Sequence, residues 1–119
     1  MPNNDDPLRF SPKDLVEQIR LRGEDWADKN SAAEMLEETK SIVLAQQAVK
    51  FMGNGDSAAK ADAQARASDL YKEHVLKMVE ARRDANKARV RYDAGKVYAE
   101  LLRTKAATER SQMELGKGT

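Results

Sequence analysis

The stretch "EARRDANKARVRYDAGK", residues 80–96, decides the fold, because it reads in two ways. As a dense run of Lys and Arg it is a grip for phosphate. As a helix it carries Ala81, Ala85, Ala88, Tyr92 and Gly95 in steps of four and three, which places all five on one side. Followed outward, the rhythm runs from Ala67, Tyr71, His74 and Met78 on one side to Ala99, Leu102 and Ala106 on the other. A register held that long predicts one continuous helix over about residues 57–114, with a coiled-coil-like seam. Most seam residues are small, so a partner helix can approach to the short end of the usual spacing of about 8–10 Å.

Upstream, "GNGDS" at residues 53–57 is a turn: Gly53 stops one helix and Asp56 or Ser57 caps the next. A connection that short predicts antiparallel neighbours. The helix before it spans about residues 26–52. It starts at Trp26, or at Ser31, where "SAAE" reads as a capping box with Glu34. Its expected inward stripe is Met35, Thr39, Ile42, Ala45, Val49 and Met52. Further upstream, "SPKDL" starts a short helix over about residues 12–22, with Ser11 as cap, Pro12 in the first turn and Asp14 near the positive end. Gly23 is its expected stop, and Leu15, Ile19 and Arg22, with Val16 beside them, form its docking side.

The fold expected is therefore all-α: a long antiparallel helical hairpin, coiled-coil-like, with a short N-terminal helix. One helical domain occupies residues 11–115, between a mobile head at 1–10 and a mobile tail at 116–119. Composition agrees. Of 119 residues 34% are charged, 5% are aromatic and 18 are alanine, a mixture suited to long helices rather than to a thick core. No cysteine is present, which excludes disulfides and thiolate chemistry. The acidic, polar start is unlike a signal peptide, and no apolar run reaches membrane-spanning length. A cytoplasmic protein with no membrane partner is expected.

Lengths predict self-association. At 1.5 Å per residue the third helix is roughly 85 Å long and the second at most roughly 40 Å. The short first helix can cover part of the distal third helix, and the remainder then needs another cover. A second copy is the simplest one. Tyr92, Val97, Tyr98, Leu101 and Leu102 are the candidate oligomer or partner interface.

Charge is uneven. Residues 1–40 hold six Lys/Arg and ten Asp/Glu, whereas the rest hold fifteen and ten. Arg82, Arg89, Lys96, Arg103 and Arg110 recur every seven residues beside the seam. Such an edge either tracks a nucleic-acid backbone or pairs with acidic flanks of a neighbouring helix. Acids interleave it at Glu80, Asp84, Asp93 and Glu100, and Asp25, Asp28, Glu34, Glu37 and Glu38 stand ready upstream, so ion pairing is the expected role.

Catalytic signals are weak. His74 is the only histidine and lies on the seam, with no second ligand at metal-binding spacing. "GNGDS" lacks the strand and Lys of a phosphate loop, and "GKGT" at residues 116–119 has no helix after it. No enzyme activity, cofactor, metal or small-molecule substrate is expected.

The segments "EDWADKNSAAEMLEETKSIVLAQ" and "ARASDLYKEHVLKMVEARRDANKARVRYDAGKVYAELLRTKAATERSQMEL" resemble a family of small helical phage and prophage proteins. That family pairs a "LEETK"-type helix with a long helix carrying "A…R..YD…..Y.E..R…AT.R". The resemblance covers residues 24–115 and implies an accessory role in phage DNA metabolism or against host defences, within the bacterial cytoplasm. It brings no catalytic residues. Family members carry bulky aromatics in the stretch matching "GKVYAELLR", where this chain has Val97, Tyr98 and Leu101. The expected function is a phage-encoded structural or adaptor protein that binds a phage or host protein through the distal third helix. The alternatives are a nucleic-acid-binding recombination or replication accessory protein and an inhibitor of a host defence enzyme.

Overall fold

The computed structural model describes residues 11–117. They form three helices, α1 (Pro12–Gly53), α2 (Ala58–Ala67) and α3 (Asp69–Lys117), with no strand among the described residues. The all-helical class thus follows the sequence reading. Residues 1–10 of the expected head, and Gly118 and Thr119 of the expected tail, lie outside the described residues. Gly116 and Lys117, also assigned to that tail, continue α3.

The N-terminus of α1 forms as its residues dictate. Ser11 Oγ accepts from the Asp14 amide at 3.2 Å, and the Leu15 amide bonds the Ser11 carbonyl at 3.0 Å. The expected stop at Gly23 does not occur, and α1 runs unbroken for 42 residues. Gly23 serves close approach instead. A Cβ there would lie 3.2 Å from the Tyr92 ring, a tight contact that would press the ring aside by a few tenths of an ångström. The neighbouring turns are held by ion pairs of Arg20 with Glu17 and Glu24, which favour helix across this position. The second helix start expected at Trp26 or Ser31 is absent for the same reason. Ser31 is an exposed helical residue, and Glu34 takes a hydrogen bond from Asn30 rather than closing a capping box.

At its far end α1 ends at Gly53, one residue later than expected, and the stop is made by Gly55 rather than Gly53. Gly55, with φ +96°, takes the left-handed position, while the Gly55 and Asp56 amides bond the carbonyls of Met52 and Phe51. Ser57 caps α2 by accepting from the Lys60 amide at 3.3 Å.

The helix expected to be continuous over 57–114 is interrupted at Ser68, which is extended at φ −69°, ψ 148°. Its hydroxyl donates to the Ala65 carbonyl at 2.6 Å and accepts from the Tyr71 amide at 3.3 Å. One serine thus closes α2 and opens α3. This is the competition with helical bonding that Ser offers, and Asp69 then favours the new N-terminus.

Where the sequence reading has one helical domain, the contacts divide the chain into two compact units: Trp26–Lys87, and Met1–Asp25 with Ala88–Thr119. Long helices touch only locally along their length, so contacts cluster by stretch rather than by element. In the first unit Ala33, Ala61, Ala65 and Ala85 are fully buried. His74 Nε2 donates to the Leu36 carbonyl at 2.7 Å, and Arg82 donates to Asn30 Oδ1 at 2.8 Å and to the Glu37 carboxylate. In the second unit Ala88 is buried and two glycines make close approaches. Gly23 faces Tyr92, and a Cβ on Gly95 would meet Ile19 at 3.5 Å and the Arg22 guanidinium at 3.2 Å.

Burial on α3 follows the expected seam from Tyr71 to Leu102, every member being buried or half-buried. The outermost members, Ala67 and Ala106, are exposed. On α1 the expected stripe is largely the outward one: Met35 is 67% exposed, Ile42 53%, Val49 68% and Met52 49%, and of the six only Thr39 is half-buried. Leu36, Val43, Leu44 and Phe51 turn inward instead. The cause is the segment "SIVLAQQAVKFM", residues 41–52, whose only charge is Lys50. Both of its sides are apolar, so periodicity offers two stripes half a turn apart.

Candidate functional site

The outward surfaces of α1 and α3 are where this chain has chemistry to offer. Along α1 one face changes character. The heptad rows Asp14, Leu21, Asp28, Met35, Ile42, Val49 and Glu17, Glu24, Ser31, Glu38, Ala45, Met52 start acidic and end apolar. At the acidic end Arg20 pairs with Glu17 and Glu24, and hydrogen bonding to Arg20 holds the Glu17 carboxyl below its ordinary range. The apolar end belongs to the unit Trp26–Lys87 and is exposed.

The five candidate interface residues on distal α3 separate into two sets. Tyr92 and Leu102 are half-buried on the seam, Tyr92 against Gly23. Val97, Tyr98 and Leu101 are exposed by 58%, 45% and 61%, together with Val90 at 68%. Asp93, Lys96, Val97, Glu100, Leu101 and Thr104 surround a shallow apolar hollow on this face. α1 is continuous, which supplies the seam side of α3 with the cover that the sequence reading assigned to a second copy. The outward side is left open.

The five cations of the basic edge do not act as one track. Arg82 pairs with Glu37 of α1, and that hydrogen bond pushes the guanidinium further up from its ordinary value. Arg89 and Lys96 both approach Asp93, at 3.8 and 3.2 Å, and Lys96 also lies 4.3 Å from the Tyr92 ring centroid. Arg103 pairs with Glu100 at 2.9 Å within its own helix. Arg110 has no ion pair among the described residues. Cross-helix pairing with acidic flanks, the role expected of the whole edge, is thus made by Arg82. Arg91 also pairs across, with Asp25 at 3.6 Å, and lies outside the edge.

His74 is half-buried and engaged with the Leu36 carbonyl. An open hollow beside it is lined by Val43, Gln46, Gln47, Leu70, Glu73 and Lys77. A second hollow, almost wholly apolar, lies where α3 begins, between Tyr71, Val75 and Leu76, with Arg66 and Lys72 at its rim. No group of His, Asp or Glu among the described residues is arranged to hold a metal ion, and none of the described helices is long and apolar enough to cross a membrane.

No family model, curated protein or solved structure matches the chain. The outward apolar row of α1 was the feature sequence reasoning assigned to the wrong side. Its signal was the nearly uncharged run 41–52 in a chain that is 34% charged, which is long enough to supply two faces.

Proposed function

We propose that this protein is a helical adaptor that acts by protein–protein contact, with α1 and α3 forming a long antiparallel hairpin and the outward face of distal α3 docking on a phage or host protein. The antiparallel reading is supported by contacts that run in opposite numerical order. Ile19 and Arg22 meet Gly95, and Asp25 meets Arg91. Asn30 meets Arg82, and Leu36 meets His74. The single observation that carries the functional reading is the exposed row Val90, Val97, Tyr98 and Leu101. Four large apolar side chains there are each close to half-exposed or more, on a helix whose seam is otherwise closed by small residues. Tyr98 adds an aromatic anchor of the kind enriched at interfaces.

The pairing of the basic edge with nearby acids supports protein over nucleic acid as partner. Phosphate tracking needs cations free to release counterions. The resemblance of residues 24–115 to small helical phage proteins supports a role beside phage DNA metabolism, in the bacterial cytoplasm.

The test is cross-linking with mass-spectrometric identification in infected cells, comparing the native chain with a Val97→Asp/Leu101→Asp variant. One protein should be captured in stoichiometric amount by the native chain, linked through Lys96 or Lys105, and lost with the variant. Equal capture by both, or a chain whose dominant ligand is DNA or RNA, overturns the reading.

A further inference from the structure

The turn "GNGDS" joins α1 to α2 within the unit Trp26–Lys87, and it holds a reactive pair, Asn54–Gly55. An asparagine side-chain amide is open to attack by the backbone nitrogen of the next residue, and a glycine there has no Cβ to block the approach. Three asparagines lie among the described residues: Asn30, Asn54 and Asn86. Asn30 and Asn86 are inside α1 and α3, where backbone amides are committed to carbonyls four residues back. Asn30 is fixed further by its side chain, which donates to Glu34 at 3.2 Å and accepts from Arg82 at 2.8 Å. Asn54 stands outside any helix. It is exposed, and its side chain has no hydrogen bond among the described residues. A Cβ on Gly53 or Gly55 would meet nothing within 4 Å, so the turn is in open space on both sides of Asn54. The Gly55 nitrogen is held by one bond, to the Met52 carbonyl at 3.0 Å, just past the end of α1, where local opening costs least.

We propose that Asn54 is a site of spontaneous covalent modification, deamidation through a cyclic imide, with water as the co-reactant. Opening the Gly55–Met52 bond frees the nucleophile. The Gly55 nitrogen then attacks Asn54 Cγ, and the bond from Cγ to Nδ2 breaks. Ammonia leaves, carrying the proton that the Gly55 nitrogen gives up. A succinimide remains, in which that nitrogen is bonded to both carbonyl carbons of residue 54. Water adds to one carbonyl or the other. Breaking the bond to Cγ leaves an aspartate. Breaking the bond to the main-chain carbonyl leaves an isoaspartate, whose backbone runs through Cγ and is longer by one carbon. No oxidant or reductant takes part.

Both products alter the joint between α1 and α2. Either one puts a new carboxylate just past the carbonyl end of α1, where negative charge is unfavourable. The cation nearest in sequence, Lys60, is already paired with Asp56 at 3.4 Å. Isoaspartate does more. Its extra backbone carbon shifts the Gly55 and Asp56 amides away from the carbonyls of Met52 and Phe51, bonds of 3.0 and 3.4 Å that shape the turn. The reaction uses neither Val97 nor Leu101, so it stands or falls separately from the distal α3 surface.

The test ages the full folded chain in heavy-oxygen water at mildly alkaline pH, beside Asn54→Gln, and maps both by mass spectrometry after digestion at mildly acidic pH. The peptide holding Asn54 should show an amide turned into a carboxyl, with the incoming oxygen heavy. It should do so at least about tenfold faster than the peptides holding Asn30 and Asn86, which react only when their helices open. The product should separate into two isomers, one of them accepted by protein isoaspartyl methyltransferase. In denaturant the lead over Asn30 should shrink, because the helix that protects Asn30 is gone. The aged native chain should melt lower than the aged Asn54→Gln chain, whose turn stays unmodified. An Asn54 that reacts no faster than Asn30 or Asn86 in the folded chain overturns the proposal. So does a product that is aspartate alone, since direct hydrolysis of the side chain gives no isoaspartate. Equal melting of the two aged chains overturns the effect on the turn.

Discussion

The two units close their helices by different means. In Trp26–Lys87 the seam is made by fully buried alanines, Ala33, Ala61, Ala65 and Ala85, and fixed by hydrogen bonds from His74 and Arg82 across to α1. In the unit that joins the start of α1 to the distal part of α3 one alanine, Ala88, is buried at 1% exposure, and further close contacts are at Gly23 and Gly95, filled by the Tyr92 ring and by Ile19 with the Arg22 side chain. Outward, the difference reverses. The alanine-seamed stretch of α1 exposes Met35, Ile42 and Val49, whereas the earlier stretch exposes the ion-paired Glu17, Arg20 and Glu24. A methyl group fills a gap that has no room for anything larger, and a missing methyl makes room for a ring or a long side chain. The first arrangement resists change in the seam. The second depends on what the neighbour does.

The largest effect that follows is at Ala85, which is 0% exposed. Ala85→Leu forces a branched side chain into a seam with no slack, at a cost of about 1–3 kcal/mol. Ala99→Leu, at a half-buried position of the same seam, should cost less. Chemical denaturation of the two variants ranks them, and equal losses would break the contrast between a closed alanine seam and a looser one.

Glycine gives the smaller, sharper test. Replacing a helical glycine by alanine is worth about 0.5–1 kcal/mol where space allows. At Gly95 the nearest obstacle is the tip of the flexible Arg22 side chain, held only by a 3.3 Å hydrogen bond to the exposed Arg91 carbonyl, so it can shift and Gly95→Ala should raise the melting temperature. At Gly23 it is the Tyr92 ring at 3.2 Å, which a half-buried seam holds in place, so Gly23→Ala should gain nothing or lose. Thermal melts of the two variants read the difference. A stabilised Gly23→Ala would mean that the ring yields, and that this glycine is not kept for close approach.

These glycines also show where the sequence was legible. The α3 seam from Tyr71 to Leu102 was readable because a register repeated over that length leaves one inward side. The caps at Ser11 and Ser57 were readable because their chemistry is local. Gly23 was not. A glycine that ends a helix and one that admits a ring look alike until the partner across the seam is known. Ser68 was missed because the seam rhythm runs straight through it, while its hydroxyl redirects the backbone. The face of α1 was missed because residues 41–52 are apolar on both sides, and only packing against α2 and α3 chooses. Of the candidate interface, Val97, Tyr98 and Leu101 are exposed, while Tyr92 and Leu102 belong to the seam. Their separation depended on α1 continuing through Gly23.

Every surface described above rests on which side of α1 faces α3. The most direct measurement is thermal and chemical unfolding of Ile42→Asp beside Leu36→Asp, at concentrations low enough to keep both monomeric. Ile42 is 53% exposed, so its variant should lose no more than about 0.5–1 kcal/mol, the scale of a helix-propensity change. Leu36 is half-buried and its carbonyl receives His74, so a carboxylate there should cost at least about 2 kcal/mol through lost packing and desolvation. A chain that tolerates Leu36→Asp and unfolds with Ile42→Asp would place the opposite face of α1 in the seam and contradict the account.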